Sequence, residues 1–382
     1  MASEKQLTKP SSRNPQFSFI IPVLNGERTL AGTLSSIGNQ THRNFEVIVV
    51  DNGSTDRTRE IAKTFSAVRY TYLGKKNRSL ARNRGAALAQ GEYLAFIDAD
   101  VVLAADWLDR ARQYMARQSL DALATQVMPA QEGKSVLDAY RWEAARWKSK
   151  GTFLSVLFSG TPCALINTAA CIVTKASFVQ VGGFNPQLKR HEDLELSRRL
   201  FARGYFLGGA SSAHARVRFV SDKAIPLARE LSYLWRAGEV QYFSPGNKSA
   251  RLRVRWPFLK SLSERRPLLS YAMLVELAGC VGQAGKLLRT KDQNPSGEKI
   301  GRKNTLPLTF RQGKKMHFLR RNVNFIFIDG EVFMHEGFGQ WRRLGIRTAE
   351  AIRKLSREDE ISVFEKRVLL ELGAFRTIAL PS

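Results

Sequence analysis

Gly91-Glu92-Tyr93-Leu94-Ala95-Phe96-Ile97-Asp98-Ala99-Asp100 is the stretch whose reading decides the fold. Tyr93 to Ile97 is an uninterrupted apolar run, as parallel strands covered on both faces tend to be. It leads straight into two carboxylates one residue apart. Such a pair is costly unless a cation neutralises it, and a hard divalent ion that also takes phosphate oxygens does so. Asp-Ala-Asp on its own also fits a solvated turn. Its position at the end of a buried strand is what sets it apart.

Upstream, the same rhythm repeats. Phe17 to Val23 reads as a buried strand and Glu27 to Gln40 as a helix with Leu30, Leu34 and Ile37 on one face. Phe45 to Val50 is a second strand, followed by a helix through Ile61, Ala62 and Phe65 that Ser54 or Asp56 can cap. Val68 to Leu73 is a weaker strand, and Arg78 to Gln90 is a helix with Gly91 as its C-cap. After Asp100 comes an amphipathic helix carrying Trp107, Leu108, Ala111, Tyr114 and Met115. Strands and helices alternating in this way imply an α/β fold with a mostly parallel sheet and right-handed crossovers.

Ligands of open parallel sheets bind outside the carboxyl ends of the strands. Here those ends carry Pro22 to Asn25, Asp51-Asn52-Gly53 and Asp98-Ala99-Asp100. Asn77 to Gly85 brings Arg78, Arg82 and Arg84 to the same edge, where a guanidinium suits a diphosphate; a solvated basic helix face is the alternative. Farther on, His191-Glu192-Asp193 opens a helix that runs to Arg203. Acids at a helix start complement its dipole, and a carboxylate there can also act as a general base. His214, following a strand over Tyr205 to Leu207, is a candidate metal ligand or a structural histidine.

In this order the segments resemble family 2 glycosyltransferases of the GT-A fold. The resemblance rests on Phe19-Ile20-Ile21-Pro22-Val23-Leu24-Asn25-Gly26-Glu27 and on Gln40 through Asp56, with Val47-Ile48-Val49-Val50-Asp51-Asn52-Gly53-Ser54 at its centre. It continues through Ala81-Arg82-Asn83-Arg84-Gly85, Gly91 to Asp100, Gly182-Gly183-Phe184-Asn185 and Glu192-Asp193-Leu194-Glu195-Leu196, covering roughly residues 17 to 220. It implies an inverting transferase that moves a sugar from a UDP-, GDP- or dTDP-sugar to an acceptor hydroxyl with Mn²⁺ or Mg²⁺. The expected setting is synthesis of a cell-envelope polysaccharide, glycolipid or related glycoconjugate. By the same resemblance Pro22, Asn25, Glu27 and Asp51 line the nucleoside pocket, Arg82 sits near the diphosphate and Asp98 meets ribose or sugar. Asp100 binds the metal, His214 falls where a late histidine lies near it, and Asp193 is the general base. Asn52 stands where many members carry a second aspartate.

Sixty Lys and Arg against 34 Asp and Glu give a net charge of +26. The basic, aromatic-bearing stretch around Arg251, Arg253, Arg255 and Trp256 suits an anionic membrane surface. A single-stranded nucleic-acid platform is the competing reading, and a catalytically silent nucleotide-sugar scaffold competes with the enzyme reading as a whole. Pro267 to Leu288 is apolar but carries Glu276, Gln283 and Lys286, which favours a buried or interfacial helix over a span. Cys163, Cys171 and Cys280 fit no zinc spacing. Met1 to Gln16 is polar, without an apolar signal-peptide core, and is expected to be disordered. The expected organisation is a transferase domain over 17–220, a basic helical region over 221–290, a linker over 291–304 and a small accessory module over 305–382. A cytoplasmic protein, peripheral on the inner face of the membrane, follows as the expected location.

Overall fold

The computed structural model describes residues 14–129, 166–188, 192–203, 205–217, 309–312, 315–319, 323–328, 331–336, 342–357 and 359–379. The basic region, the linker, the apolar stretch at 267–288, Cys163 and Cys280 lie outside them.

Four parallel strands make the first half of the sheet: β1 (Phe17–Val23), β2 (Phe45–Asp51), β3 (Val68–Tyr72) and β4 (Tyr93–Ile97), in the order β3-β2-β1-β4. Alternate residues of these strands feed two separate cores, because successive side chains point to opposite faces. Phe19, Ile21, Ala95 and Ile97 pack with Leu30, Leu34 and Ile37 of α1 (Leu30–Gly38). Ile20, Ile48, Leu94 and Phe96 pack with Ala81 and Ala86 of α3 (Arg78–Leu88) on the other face. That explains why the strands read as continuous apolar runs. Each fully buried Phe or Ile contributes roughly 1.5–3 kcal/mol. Between β2 and β3 lies α2 (Thr58–Thr64), whose N-cap position is Arg57 without a side-chain cap, rather than Ser54 or Asp56; Asp56, one residue earlier, accepts the Thr58 N–H at 3.1 Å.

Gly91 differs from the expected C-cap. Helix α3 ends at Leu88, and a Cβ on Gly91 would lie 2.8 Å from the backbone of Phe17 and Ser18. The glycine lets the chain entering β4 press against β1, while its own N–H donates to Ser18 Oγ at 2.9 Å.

Beyond β4 the sheet becomes mixed. β7 (Ala170–Thr174) pairs antiparallel with β4, and β6 (Ala122–Pro129) pairs antiparallel with β7 and parallel with β8 (Leu207–Val217). The short β5 (Val101–Leu103) lies antiparallel on β8. Helix α4 (Trp107–Arg117) covers this part, with the Trp107 indole N–H donating to Thr125 Oγ1 at 3.0 Å. Two helices follow β7: α5 (Lys175–Gln180) and α6 (Glu192–Ala202).

The chain after residue 305 does not stand apart from this sheet. β11 (Val323–Ile328) lies parallel to β8, joining Ile326 to Leu207, and continues into an antiparallel hairpin with β12 (Glu331–Glu336) and the short β13 (Arg342–Arg343). Phe325 and Phe327 belong to the same core as Phe19 and Trp107. Helices α7 (Ile346–Ser356) and α8 (Val363–Glu371) follow, the latter opened by a capping box between Ser362 and Glu365. A separate antiparallel sheet joins β9 (Thr309–Gln312), β10 (Lys315–Leu319) and β14 (Phe375–Ala379).

Candidate active site

The carboxyl ends of β1, β2 and β4 form one edge, and three loops build it. The loop after β1 and the loop after β2 brace each other. Asn25, at φ 54°, takes the Thr55 N–H on its Oδ1 at 2.9 Å, and its own N–H donates to Ser54 Oγ at 2.9 Å. Gly26 N–H donates to Thr58 Oγ1 at 2.8 Å and Glu27 N–H to Asp56 at 3.0 Å; Glu27 also pairs with Arg57 at 3.5 Å. Pro22 lies half-buried at the mouth of β1.

Asp51 is 1% exposed. Its Oδ1 accepts the N–H groups of Gly53 and Ser54, and its Oδ2 accepts the Tyr70 hydroxyl at 2.8 Å. Burial, and then Asp51 itself, push the Tyr70 hydroxyl well above its ordinary pKa, so it remains a donor. Asn52 faces the start of α3, its Oδ1 accepting the N–H of the N-cap residue Asn77 at 2.7 Å. An amide serves there as well as a carboxylate would, without adding charge beside Asp51.

Asp98, Ala99 and Asp100 close the edge. The turn is fixed from both sides: Thr33 donates to the Ala99 carbonyl at 2.9 Å, and Asp98 N–H donates to Ala169 O at 3.1 Å. The two carboxylates have different surroundings. Asp98 is 35% exposed and accepts Arg82 Nη2 at 2.7 Å. For Asp100, burial and then the charge of Asp98 push the carboxyl up to about 6, with Arg78 pulling the other way. A carboxylate under such strain gains from a divalent cation, and its donor chemistry suits one. Among the described residues no cluster of three or more His, Cys, Asp or Glu surrounds a metal position. A cation here would be held chiefly by Asp100, with phosphate oxygens among its further ligands.

Asp100 carries a testable cost. Because its folded pKa lies above the ordinary 3.8, the folded chain binds the extra proton between that value and about 6. Without a cation, stability therefore falls as pH rises through this window. The full effect is up to about 3 kcal/mol, less where water screens the group. Asp100→Asn should melt higher than wild type at pH 7.5 without metal, and the gap should shrink to about half by pH 5 and close only below the ordinary carboxylate value. Parallel melting profiles for the two proteins would rule this out.

Arg82 was expected beside a diphosphate; in the structure it is 1% exposed and committed to carboxylates. Besides Asp98 it donates from Nη1 to Glu192 at 2.8 Å, and its guanidinium stands over the Phe184 ring at 5.6 Å. Burial opposes its charge, but Asp98 and Glu192 hold its pKa above the ordinary value. Arg78, 57% exposed, is 3.9 Å from Glu192 and is far more accessible than Arg82. Glu192 itself is 4% exposed on its side chain. A sequence reading treats it as one of two helix-start acids; the structure makes it the link between α6 and α3.

Asp193 is half-buried on the first turn of α6. Cys171 on β7 is a buried free thiol, and burial pushes its pKa up. Asn83 exchanges two hydrogen bonds of 2.8 Å with the Phe184 backbone, and Asn77 Nδ2 donates to Pro186 O at 2.8 Å. The loop before α6 is thus bound to the helix that borders this edge of the sheet. His214 lies within β8, opposite Gln126, rather than after a strand ending at Leu207.

A parallel β3-β2-β1-β4 half-sheet ending in an Asp-x-Asp turn, extended by a mixed sheet and flanked by helices, is a GT-A-like fold. Residues 18–179 match the model of glycosyl transferase family 2, and this segment is a domain of that family. Over 99 residues the chain is 39% identical to glycosyltransferase GlyA of Streptococcus pneumoniae, covering 25% of this chain and 14% of that protein. TuaG of Bacillus subtilis, whose name assigns it as a glycosyltransferase to teichuronic acid biosynthesis, is 27% identical over 60% of this chain and 86% of its own. The chain spans less than a third of the length of several curated relatives that it matches. A mannosyltransferase from Pyrobaculum calidifontis, solved with GDP-Man and Mn²⁺, is 18% identical with a TM-score of 0.47, over 75% of this chain and 78% of that one.

Proposed function

We propose that this chain transfers a sugar from a nucleotide-sugar donor to an acceptor hydroxyl, with inversion at the anomeric carbon. The observation that carries the reading is the juxtaposition of Asp98 and Asp100 with the start of α6 through Arg82. A strand end built for a cation and phosphate is joined to a helix that presents a second carboxylate.

Pro22, Asn25, Glu27 and Asp51 border the nucleoside, with Asp51 held by Tyr70 and its own loop. Asp98, oriented by Arg82, lies where it can meet ribose or sugar hydroxyls. Asp100 is the principal cation ligand, with His214 as a further one. A divalent ion, Mn²⁺ or Mg²⁺, supplies charge stabilisation for the departing diphosphate when bound. Asp193 accepts the proton of the acceptor hydroxyl as that oxygen attacks, and Glu192 stays bound to Arg82 and keeps α6 in place. The test is thermal unfolding with UDP-, GDP- and dTDP-sugars, each with and without Mn²⁺. One donor at about 100 times its dissociation constant should add about 2.7 kcal/mol of stability, and more with Mn²⁺ than without. The absence of any donor-dependent shift would favour the silent-scaffold reading.

Cell-envelope polysaccharide is the proposed product class, supported by the name of the relative TuaG. We place the protein on the cytoplasmic face of the membrane, on the strength of its +26 charge and the Arg- and Trp-bearing segment around residue 255. Among the described residues no helix is long and apolar enough to cross a membrane. Sedimentation with anionic liposomes at low salt should recover the protein, and raised salt should release it. Failure to sediment at low salt would refute the placement.

A further inference from the structure

A cleft of about 420 Å³ lies where the end of α4 meets the end of α7, and none of its lining residues belongs to the donor edge. Arg117, Gln118, Glu350, Arg353, Lys354 and Arg357 line it, with Tyr114 and Asp359 at the sides. The lining side chains end in polar or charged groups, carried on apolar stems, so the cleft suits a ligand that offers both hydrogen-bonding groups and carbon faces.

Its charge exceeds what the helix ends require. Cations in the last turn of a helix complement the dipole, and Arg117 on α4 and Arg353 on α7 fill that role. Lys354 is taken by Glu365 at 2.7 Å. Arg357, the C-cap of α7, is exposed and makes no ion pair among the described residues. With Lys354 paired to Glu365, three arginines face two carboxylates, Glu350 and Asp359, around this cleft.

The second observation is Gln118. It is 6% exposed, and its Oε1 is buried without a hydrogen-bond partner. A buried carbonyl oxygen left unpaired is costly, and a hydroxyl would satisfy it. An arginine pair wants an oxyanion, and Gln118 beside it wants a hydroxyl donor.

We propose that this cleft binds an oxyanion carried on a polyhydroxyl chain, that is, a stretch of anionic carbohydrate. The anion, a uronate carboxylate or a polyol phosphate, lies against Arg117 and Arg357, and a neighbouring hydroxyl donates to Gln118 Oε1. The cleft joins the transferase domain to the chain after residue 342, and its occupancy does not depend on the transfer reaction.

Titration calorimetry on the full chain tests this with four probes: an oligoglucuronate, a glycerol phosphate oligomer, inorganic phosphate and a neutral glucose oligomer. One of the two anionic oligomers should bind more tightly than inorganic phosphate, and the neutral oligomer should not bind. Whichever oligomer binds identifies the anion. R117E/R357E should weaken that binding by about tenfold or more, with the milder R117Q/R357Q pair as a check against misfolding. Q118A should reduce the preference for the oligomer over inorganic phosphate by about threefold or more. The donor-induced thermal shift should survive in all three variants. Equal binding of phosphate and oligomer, binding of the neutral oligomer, no binding at all, or indifference to R117E/R357E would each overturn the proposal.

Discussion

Arg82→Ala is expected to lower stability by about 3–5 kcal/mol, the cost typical of breaking a buried ion pair by removing one partner. Its guanidinium is the shared cation of Asp98 at 2.7 Å and Glu192 at 2.8 Å, and it covers the Phe184 ring. Asp98 can turn to water, since a third of its side chain is exposed, but Glu192 at 4% cannot. The loss therefore falls mainly on the seam between α3 and α6. Arg82→Lys should recover only part of it, because a single ammonium cannot reproduce a fork that reaches two carboxylates. Arg82→Ala combined with Glu192→Gln should be less destabilised than the sum of the single changes, because the stranded charge is gone. Denaturant unfolding of wild type, the three single variants and the double variant measures this. An Arg82→Ala protein within about 0.5 kcal/mol of wild type, the range of an ordinary surface change, would show the clamp to be unimportant.

Much of the parallel half of the fold can be read directly from sequence. Strands β1, β2 and β4 feed cores on both faces, so their apolar runs are continuous, and the carboxylates at the end of β4 mark the ligand edge. Other features depend on partners far away in the chain. Gly91 follows a helix and so resembles a C-cap, but its role is set by the backbone of Phe17, which local pattern does not reveal. The attachment of β11 to β8 joins Ile326 to Leu207, and non-local pairing leaves no periodic trace. At the site, adjacent acids at a helix start look equivalent. What separates Glu192 from Asp193 is a guanidinium on α3, 110 residues earlier. Arg82, which the resemblance puts near the diphosphate, is buried because the two carboxylates on either side of it hold its guanidinium.

The division of labour between those two acids yields the last prediction. Successive residues of a helix point about 100° apart, so Glu192 cannot occupy the Arg82 seam and share the direction of Asp193. Glu192→Gln removes a buried charge from a pair and should act on stability, with transfer reduced only as far as α6 shifts. Asp193→Asn removes the proposed base while keeping size and shape. It should lower kcat by about 10²–10⁴-fold, the usual contribution of a positioned general base. Donor-induced thermal stabilisation should persist, because the groups expected to hold the nucleotide sugar lie on the loops after β1, β2 and β4. Measuring kcat beside donor binding in both variants separates the roles. Near-normal turnover in Asp193→Asn, or a loss of donor binding as large as the loss of turnover, would refute Asp193 as the base. If Glu192→Gln instead abolished turnover with stability and donor binding intact, the assignment would pass to Glu192. The Arg82 pair would then be part of the chemistry rather than its support.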